Sequence, residues 1–145
     1  MIYDERLVAP MRAELTQLGI EELRTGAAVD TALNAAKGTQ LVIVNSVCGC
    51  AARNMRPAVA NALKHAVTPD KSYTVFAGND ADATRTARGY FVGYAPSSPS
   101  IALFRDGKLV HMIERWQIEG RTVDSIAADL TGAFDAHCAA ASAAG

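Results

Sequence analysis

The chain has 145 residues, half of them apolar, and a formal net charge of −1 at pH 7. This length predicts one domain over residues 1–145 with enough apolar material to form a core. Acidic and basic residues are mixed without a basic stripe, so no nucleic-acid partner is expected. No apolar run is suited to cross a bilayer or to act as a signal peptide, so no membrane partner is expected.

The number of cysteines and the expected compartment limit the roles that the cysteines can have. The default compartment is the cytoplasm, where glutathione-type buffers keep structural disulfides rare. The chain has three cysteines, Cys48, Cys50 and Cys138. In that compartment they indicate catalysis, redox sensing, metal binding or core filling rather than a disulfide scaffold.

The first part of the chain predicts two helices and a short strand. Apolar residues recur at helical spacing over Leu7–Leu18, but Pro10 lies inside the pattern, so this helix is either kinked or begins late. A short strand is predicted at Ile20–Leu23, and a second helix is predicted over residues 28–36.

The cysteine pair lies at the junction of a strand and a helix. Gln40–Asn45 predicts a strand whose centre is continuously apolar, as in strands buried on both faces of a parallel sheet. A helical stripe runs from Ala52 to Ala66, and Pro57 inside it predicts a kink. Cys48 and Cys50 fall between the strand and the helix.

The second half predicts three strands and two helices. The strands are Ser72–Ala77, Ser100–Phe104 and Leu109–Ile113, and the last two form a hairpin. One helix is spaced over residues 83–91, and Thr122 is expected to cap a final helix. The alanine-rich end, residues 139–145, is expected to be a frayed tail.

This order of elements predicts an α/β, thioredoxin-like fold. An extra N-terminal helix precedes the sequence β-α-β-α-β-α-β-β-α, which builds a central mixed β-sheet flanked by helices. In that fold the redox cysteines begin the helix after a central strand, and Cys48 has this position.

A helix N-terminus favours a thiolate, because it offers unpaired N–H groups and a positive dipole end. We therefore interpret Cys48 as the nucleophile and Cys50 as the resolving thiol. Closing a bond between them needs a bent backbone, which Gly49 is the residue best able to supply. Arg53 and Arg56 are near in sequence and are expected to add positive potential.

Two other interpretations of the cysteines remain open. The pair could be buried small hydrophobes, or it could supply half of a tetrahedral zinc site, although none of the three histidines shows ligand spacing to it. Cys138 continues the apolar stripe of the last helix, so core filling is favoured over a role as third redox thiol.

Ser98 and Pro99 precede a strand at the point where the fold would face the cysteines. Although most X–Pro bonds are trans, this position favours a cis bond that holds a backbone edge for pairing with substrate. Arg115 is interpreted as an ordinary solvated arginine, with contact to an anionic substrate as the alternative.

The string Val44–Ala52, followed by Arg56-Pro57-Ala58, resembles the bacilliredoxin family. These are small bacterial thioredoxin-like proteins with a Cys-Gly-Cys motif. The resemblance continues through four further segments, Val75–Gly78, Ala95–Ser100, Ile118–Gly120 and Ala133–Cys138. It implies reduction of mixed disulfides between proteins and bacillithiol, a small thiol, with weak disulfide-isomerase-like activity as the other assignment.

Carried onto this sequence, the resemblance implies that Cys48 attacks the mixed disulfide and takes the small thiol, and that Cys50 or a second small thiol resolves it. It implies no bound cofactor, bacillithiol or an equivalent as co-substrate, and S-thiolated client proteins and a reductase as partners. The terminal Ala-His-Cys, as a family feature, raises the prospect of some role for Cys138.

Three departures from thioredoxin itself reduce the prospect of general thioredoxin activity. One residue separates the cysteines instead of two, Val47 replaces the usual tryptophan, and the central strand has no acidic residue to accept the proton of Cys50.

The sequence as a whole supports three hypotheses about function. The protein is an oxidoreductase that removes small-thiol adducts, a broader disulfide isomerase or oxidant, or a non-enzymatic module that binds metal or senses oxidants.

Overall fold

The computed structural model describes the backbone of residues 2–144 and the side chains of residues 2–138. Within these residues the strands are β1 (Glu21–Glu22), β2 (Thr39–Asn45), β3 (Lys71–Phe76), β4 (Ser100–Arg105) and β5 (Lys108–Ile113). The α-helices are α1 (Glu5–Thr16), α2 (Gly26–Leu33), α3 (Arg56–Ala62), α4 (Ala81–Gly89), α5 (Arg115–Ile118) and α6 (Val123–Ala144).

The five strands within the described residues form one mixed sheet in the order β1-β3-β2-β4-β5. β1 and β2 both pair in parallel with β3, whereas β4 pairs antiparallel with β2 and with β5. The predicted α/β architecture, with its N-terminal helix and flanking helices, is confirmed. The single-turn helix α5 was absent from the sequence interpretation.

Both faces of β2 are covered, which explains its uninterrupted apolar centre. Leu41 and Ile43 contribute to a core with α3 and α6, while Val42 and Val44 contribute to a second core with α2 and α4. All seven residues of β2 are buried. The cysteine pair therefore follows a strand that is buried along its whole length.

The element bounds differ from the sequence expectations at three places. β1 is limited to Glu21–Glu22, and the flanking Ile20 and Leu23 are buried in the core. α2 ends at Leu33, and Ala35 has a left-handed φ of 56°. α1 begins at Glu5, well before Pro10, so the late-start alternative is wrong.

The helix after the cysteines begins irregularly. A π-helical turn, Ala51–Met55, precedes α3, and the change of register falls one residue before Pro57. A proline in the first turn of an α-helix costs little, because its missing N–H would have no intrahelical partner there. Pro57 therefore lies in the first turn of α3, and not in the interior of one continuous helix as the sequence interpretation placed it.

The C-terminal helix agrees with its predicted start. The Thr122 side chain accepts a hydrogen bond from the Ser125 N–H at 3.0 Å, which caps α6. The side chains of residues 139–145 lie outside the described residues, so the frayed tail stays a prediction.

Candidate active site

The cysteine pair lies at the carboxyl end of β2, between its neighbours β3 and β4. β2 ends at Asn45, a short loop carries Cys48, and Cys50 immediately precedes the π-helical turn. The Cys48 carbonyl accepts hydrogen bonds from the N–H groups of Ala51 and Ala52 at 3.1 and 3.2 Å. Cys48 is therefore held at the start of the helical segment, where the sequence predicted it.

The two thiols are in direct contact. Their Sγ atoms are 2.6 Å apart, and both residues are half-buried. Such contact lets each sulfur affect the ionisation of the other.

The surroundings of Cys48 favour its thiolate. Desolvation by itself would raise the pKa of Cys48, but hydrogen bonds from the Cys50 thiol, the Ser46 hydroxyl and the N–H groups of Ala51 and Cys50 together lower it. A thiolate is the nucleophilic form of cysteine. Cys48 is consequently the sulfur better prepared to attack.

The surroundings of Cys50 favour its neutral thiol. Burial raises the pKa of Cys50, and the hydrogen bond and negative charge of Cys48 raise it further, while the positive charge of Arg115 opposes the rise. The two pKa values thus move in opposite directions across one short contact.

Ser46 supports Cys48 in two ways. Its Oγ accepts a hydrogen bond from the Cys48 N–H at 3.2 Å, and its side chain hydrogen-bonds the Cys48 sulfur. Ser46 is itself buried, with 7% of its surface exposed. The sequence interpretation gave it no role, although a hydroxyl two residues before the cysteine is a local signal for a turn of this kind.

A buried polar network holds the loop from behind. Arg56, which is 2% exposed, donates from Nη1 to Asn45 Oδ1 and to the Ser46 carbonyl, both at 2.9 Å. Its Nε lies 3.1 Å from Glu14 Oε1. Asn45 in turn donates to the Met11 carbonyl of α1. Arg56 therefore acts on the site by fixing the backbone under Cys48.

Gly49 lies against the Arg53 side chain and does not have a positive φ. The sequence expectation concerned the backbone of a closed Cys48–Cys50 disulfide, and since both cysteines are free in this structure it stays a prediction. A Cβ at this position would lie 2.6 Å from Nη2 of Arg53. The exposed Arg53 guanidinium thus packs against the glycine between the two cysteines.

Cys48 faces a cleft of about 230 Å³. The cleft is lined by Tyr3, Ser46, Val47, Cys48, Ala77, Gly78, Ser98 and Arg115. Cys50 is not among the lining residues, so the cleft gives access to one sulfur of the pair.

The loop opposite Cys48 contains the predicted cis bond. The Ser98–Pro99 peptide bond is cis, and Ser98 lines the cleft. Two arginines donate to this loop: Arg115 to the Ser98 carbonyl at 3.2 Å, and Arg88 to the Ser97 carbonyl at 3.3 Å. The loop is therefore held from both sides.

Arg115 belongs to the site, contrary to its interpretation as an ordinary surface arginine. Glu114 and Gln117 form a capping box that starts α5, which places Arg115 at the first position of the helix. The Arg115 side chain pairs with Glu119, and its charge acts on both thiols. No local sequence signal indicates this placement, because α5 meets the cysteines only in the folded chain.

Cys138 lies at the far end of the sheet. It is 4% exposed, packs in the core between the sheet and α6, and hydrogen-bonds the Thr39 side chain. Thr39 begins β2 and Cys48 follows its end, so a seven-residue strand, about 20 Å long at the usual rise, lies between them. Burial raises the pKa of Cys138. The fold does not bring it to the other two cysteines.

Two of the three histidines, His65 and His111, have partners elsewhere in the molecule. His65 contacts Asp135 at 2.9 Å, and His111 contacts Asp129 at 2.7 Å. Among residues whose side chains are described, no group of three or more histidine, cysteine or acidic residues could hold a metal ion.

Within the described residues, no helix has the length and apolar character needed to span a bilayer.

Solved structures similar to this chain include thioredoxins. Oxidised thioredoxin O2 from Arabidopsis thaliana aligns with a TM-score of 0.55 at 15% identity, covering 81% of this chain and 96% of that one. The thioredoxin of Malassezia sympodialis aligns with a TM-score of 0.52 at 15% identity, covering 82% and 90%. At these identities the similarity shows a shared fold.

Sequence comparison gives the family. Residues 3–138 match the family described as disulphide isomerase. A bacilliredoxin of Koribacter versatilis is 58% identical over 139 residues, covering 96% of each chain. A bacilliredoxin of Bacillus licheniformis is 50% identical over 137 residues, covering 94% of this chain and 95% of that one. With this similarity over nearly its whole length, and with two thiols at the end of a thioredoxin-type central strand, the chain belongs to the bacilliredoxin family of thiol–disulfide oxidoreductases.

Proposed function

We propose that this oxidoreductase reduces mixed disulfides between client proteins and a small thiol, with Cys48 as the nucleophile and Cys50 as the resolving thiol. The observation that carries the proposal is the asymmetry of the pair. The pKa of Cys48 is lowered and that of Cys50 is raised, and only the sulfur with the lowered pKa lines the cleft.

In the first step the Cys48 thiolate attacks the small-thiol sulfur of the mixed disulfide. A bond forms between Cys48 and that sulfur, the bond to the client sulfur breaks, and the client leaves as a thiolate that takes up a proton. Attack by a thiolate at a sulfur is the general route of disulfide exchange. The hydrogen bonds that lower the pKa of Cys48 favour the reactive thiolate.

In the second step Cys50 attacks the sulfur of Cys48. The small thiol leaves and the two cysteines end as a disulfide, so two electrons have passed from the pair to the original mixed disulfide. The Cys50 proton leaves to water or to the departing thiolate, because β2 carries no carboxylate to accept it. A reductase or further small thiol then restores the dithiol.

The remaining site residues are given supporting roles in this proposal. Ser98 and Pro99 supply the edge of the cleft against which substrate backbone would lie. Gly49 leaves room for the Arg53 guanidinium, whose positive charge would favour anionic sulfur. No bound cofactor is needed. Bacillithiol or an equivalent small thiol as co-substrate, S-thiolated proteins as clients and a cytoplasmic location remain proposals.

Trapping the first intermediate tests the assignment. Cys50→Ala should accumulate one small-thiol adduct on Cys48 after exposure to a thiolated protein, because the resolving sulfur is missing. Intact-mass measurement with several small thiols in parallel would detect it, and Cys48→Ala is the matched control that should stay unmodified. Absence of the adduct from Cys50→Ala with every thiol would refute the proposal.

A second candidate function is disulfide isomerisation or oxidation, which the description of the matching family favours. The reduction potential of the Cys48–Cys50 pair separates the two candidates. An oxidant needs a potential well above that of thioredoxin, about −270 mV, and closer to that of DsbA, about −120 mV. Equilibration with glutathione redox buffers would measure it.

A further inference from the structure

A basic pocket lies next to the cleft at Cys48. It has a volume of about 430 Å³ and is lined by Gly78, Ala81, Thr84, Arg85, Arg88 and Pro96. Gly78 also lines the cleft at Cys48, and Pro96 belongs to the loop whose Ser98 lines that cleft. The two cavities are therefore neighbours across Gly78. We call the second cavity the Arg88 pocket.

Arg88 is held in this pocket without a counter-charge. It is half-buried and donates to the Ser97 carbonyl, while its Nε is buried with no hydrogen-bond partner among the described residues. The two nearby arginines do have a counter-charge: Arg85 pairs with Asp82, and Arg115 pairs with Glu119. Among the side chains described, none offers Arg88 a carboxylate within ion-pair distance.

A guanidinium in this setting favours a bound anion. Desolvation lowers the pKa of Arg88, because burial penalises the charged form when no opposite charge compensates it. An anion in the pocket would supply that compensation. A carboxylate suits the planar guanidinium best, since its two oxygens match adjacent N–H donors.

We propose that the Arg88 pocket binds a carboxylate of the small thiol whose sulfur is exchanged at Cys48. This inference rests on the proposed function. The small thiol is joined to Cys48 through its sulfur in the cleft, and the rest of the molecule extends past Gly78 into the pocket. The carboxylate stays ion-paired and chemically unchanged while the disulfide bond moves from the client sulfur to Cys48.

Two matched disulfides test the proposal. A one-cysteine peptide is prepared as its mixed disulfide with glutathione, which has two carboxylates, or with glutathione diethyl ester, which has the same skeleton without those charges. The Cys50→Ala protein should react with the glutathione disulfide roughly fivefold to tenfold faster, as one charge-assisted hydrogen-bonding group would give. Peptide release measured by chromatography gives both rates.

Substitutions at Arg88 should remove this preference. Arg88→Gln in the Cys50→Ala background should bring the ratio of the two rates close to one. Arg88→Lys keeps the positive charge but not the planar guanidinium, so it should retain part of the preference for the glutathione disulfide. It also tests the role of Arg88 if the glutamine variant does not fold. Arg105→Gln removes the same charge at the opposite end of the sheet and should leave the ratio unchanged.

The failures of the two proposals are distinguishable. Equal rates for the two disulfides in the protein with Arg88 intact would overturn the pocket assignment and leave the thiol exchange standing. A preference that survives Arg88→Gln would overturn it as well. Reaction with neither disulfide would remove the proposed function, and the pocket assignment with it.

Discussion

At the scale of single residues, the difference between Cys48 and Cys50 comes from the hydrogen bonds that each sulfur receives. Both sulfurs are partly desolvated, which opposes ionisation of each. Only Cys48 receives donors from a thiol, a hydroxyl and two backbone N–H groups. The sequence argument from the helix N-terminus and the lowered pKa of Cys48 favour the same cysteine as the nucleophile, but the sequence argument omits Ser46.

Replacement of Ser46 by alanine should weaken the nucleophile. The variant loses a donor to the Cys48 sulfur, so the pKa of Cys48 should rise and less thiolate should be present at neutral pH. Loss of one hydrogen bond of about 1 kcal/mol should slow alkylation of Cys48 at pH 7 several-fold. The pH dependence of iodoacetamide alkylation would measure this.

Ser46→Thr is the control for that experiment, because it keeps the hydroxyl. In the native protein the alkylation midpoint should lie below the ordinary value for a cysteine, given the lowered pKa of Cys48. An unchanged midpoint in Ser46→Ala would show that the hydroxyl contributes nothing to the thiolate.

At the scale of elements, α1 is joined to the sheet by a buried ion-pair cluster. Arg12 contacts Asp80 at 2.6 Å, Glu22 at 2.9 Å and Glu5 at 2.9 Å, and its guanidinium lies 5.0 Å from the centre of the Phe76 ring. The side chains of Arg12 and Asp80 are each only 7% exposed. The cluster positions α1, whose Met11 carbonyl accepts the Asn45 amide under the active-site loop.

Arg12→Met should destabilise the protein by about 3 kcal/mol, because it leaves the Asp80 carboxylate buried and largely uncompensated. Urea unfolding followed by circular dichroism would measure the loss. Adding Asp80→Asn to this variant should recover part of the stability, since it removes the uncompensated charge. A single variant as stable as the native protein would contradict the assignment of Arg12 as the partner that Asp80 requires.

At the scale of the whole molecule, the length of strand β2 separates Cys138 from the cysteine pair. Cys138 contacts Thr39 at the beginning of β2, whereas Cys48 follows the end of the same strand. The favoured interpretation as a core residue agrees with its burial at 4% exposure. A role as third redox thiol would require transport of electrons over the length of a strand or a large rearrangement of α6.

Cys138→Ala should therefore leave the chemistry intact. Trapping of the small-thiol adduct in Cys50→Ala should proceed at the same rate with and without this change. Stability should fall by about 1 kcal/mol, because removing a buried sulfur leaves a small cavity. A slower adduct rate with unchanged stability would instead point to a redox role for Cys138.

The cis bond at Ser98–Pro99 was expected from its position in the predicted fold. Local patterns in the sequence determined the order of the elements and the position of Cys48 after a buried strand. These features depend on periodicity, turn residues and near neighbours, which a sequence displays directly. The short strand β1 was predicted with wider bounds and the π-helical turn was not predicted, because both depend on how neighbouring elements pack.

The tertiary structure alone decided which side chains surround the reactive sulfur. Arg115 and Arg88 come from α5 and α4, which lie far from Cys48 in sequence, and the fold brings both to the loop at Ser98. The distance between Cys138 and the pair was likewise set by the length of β2. Contacts between distant segments follow from the sheet order and from side-chain packing. Neither of these can be read from the composition of the chain or from the spacing of its residues.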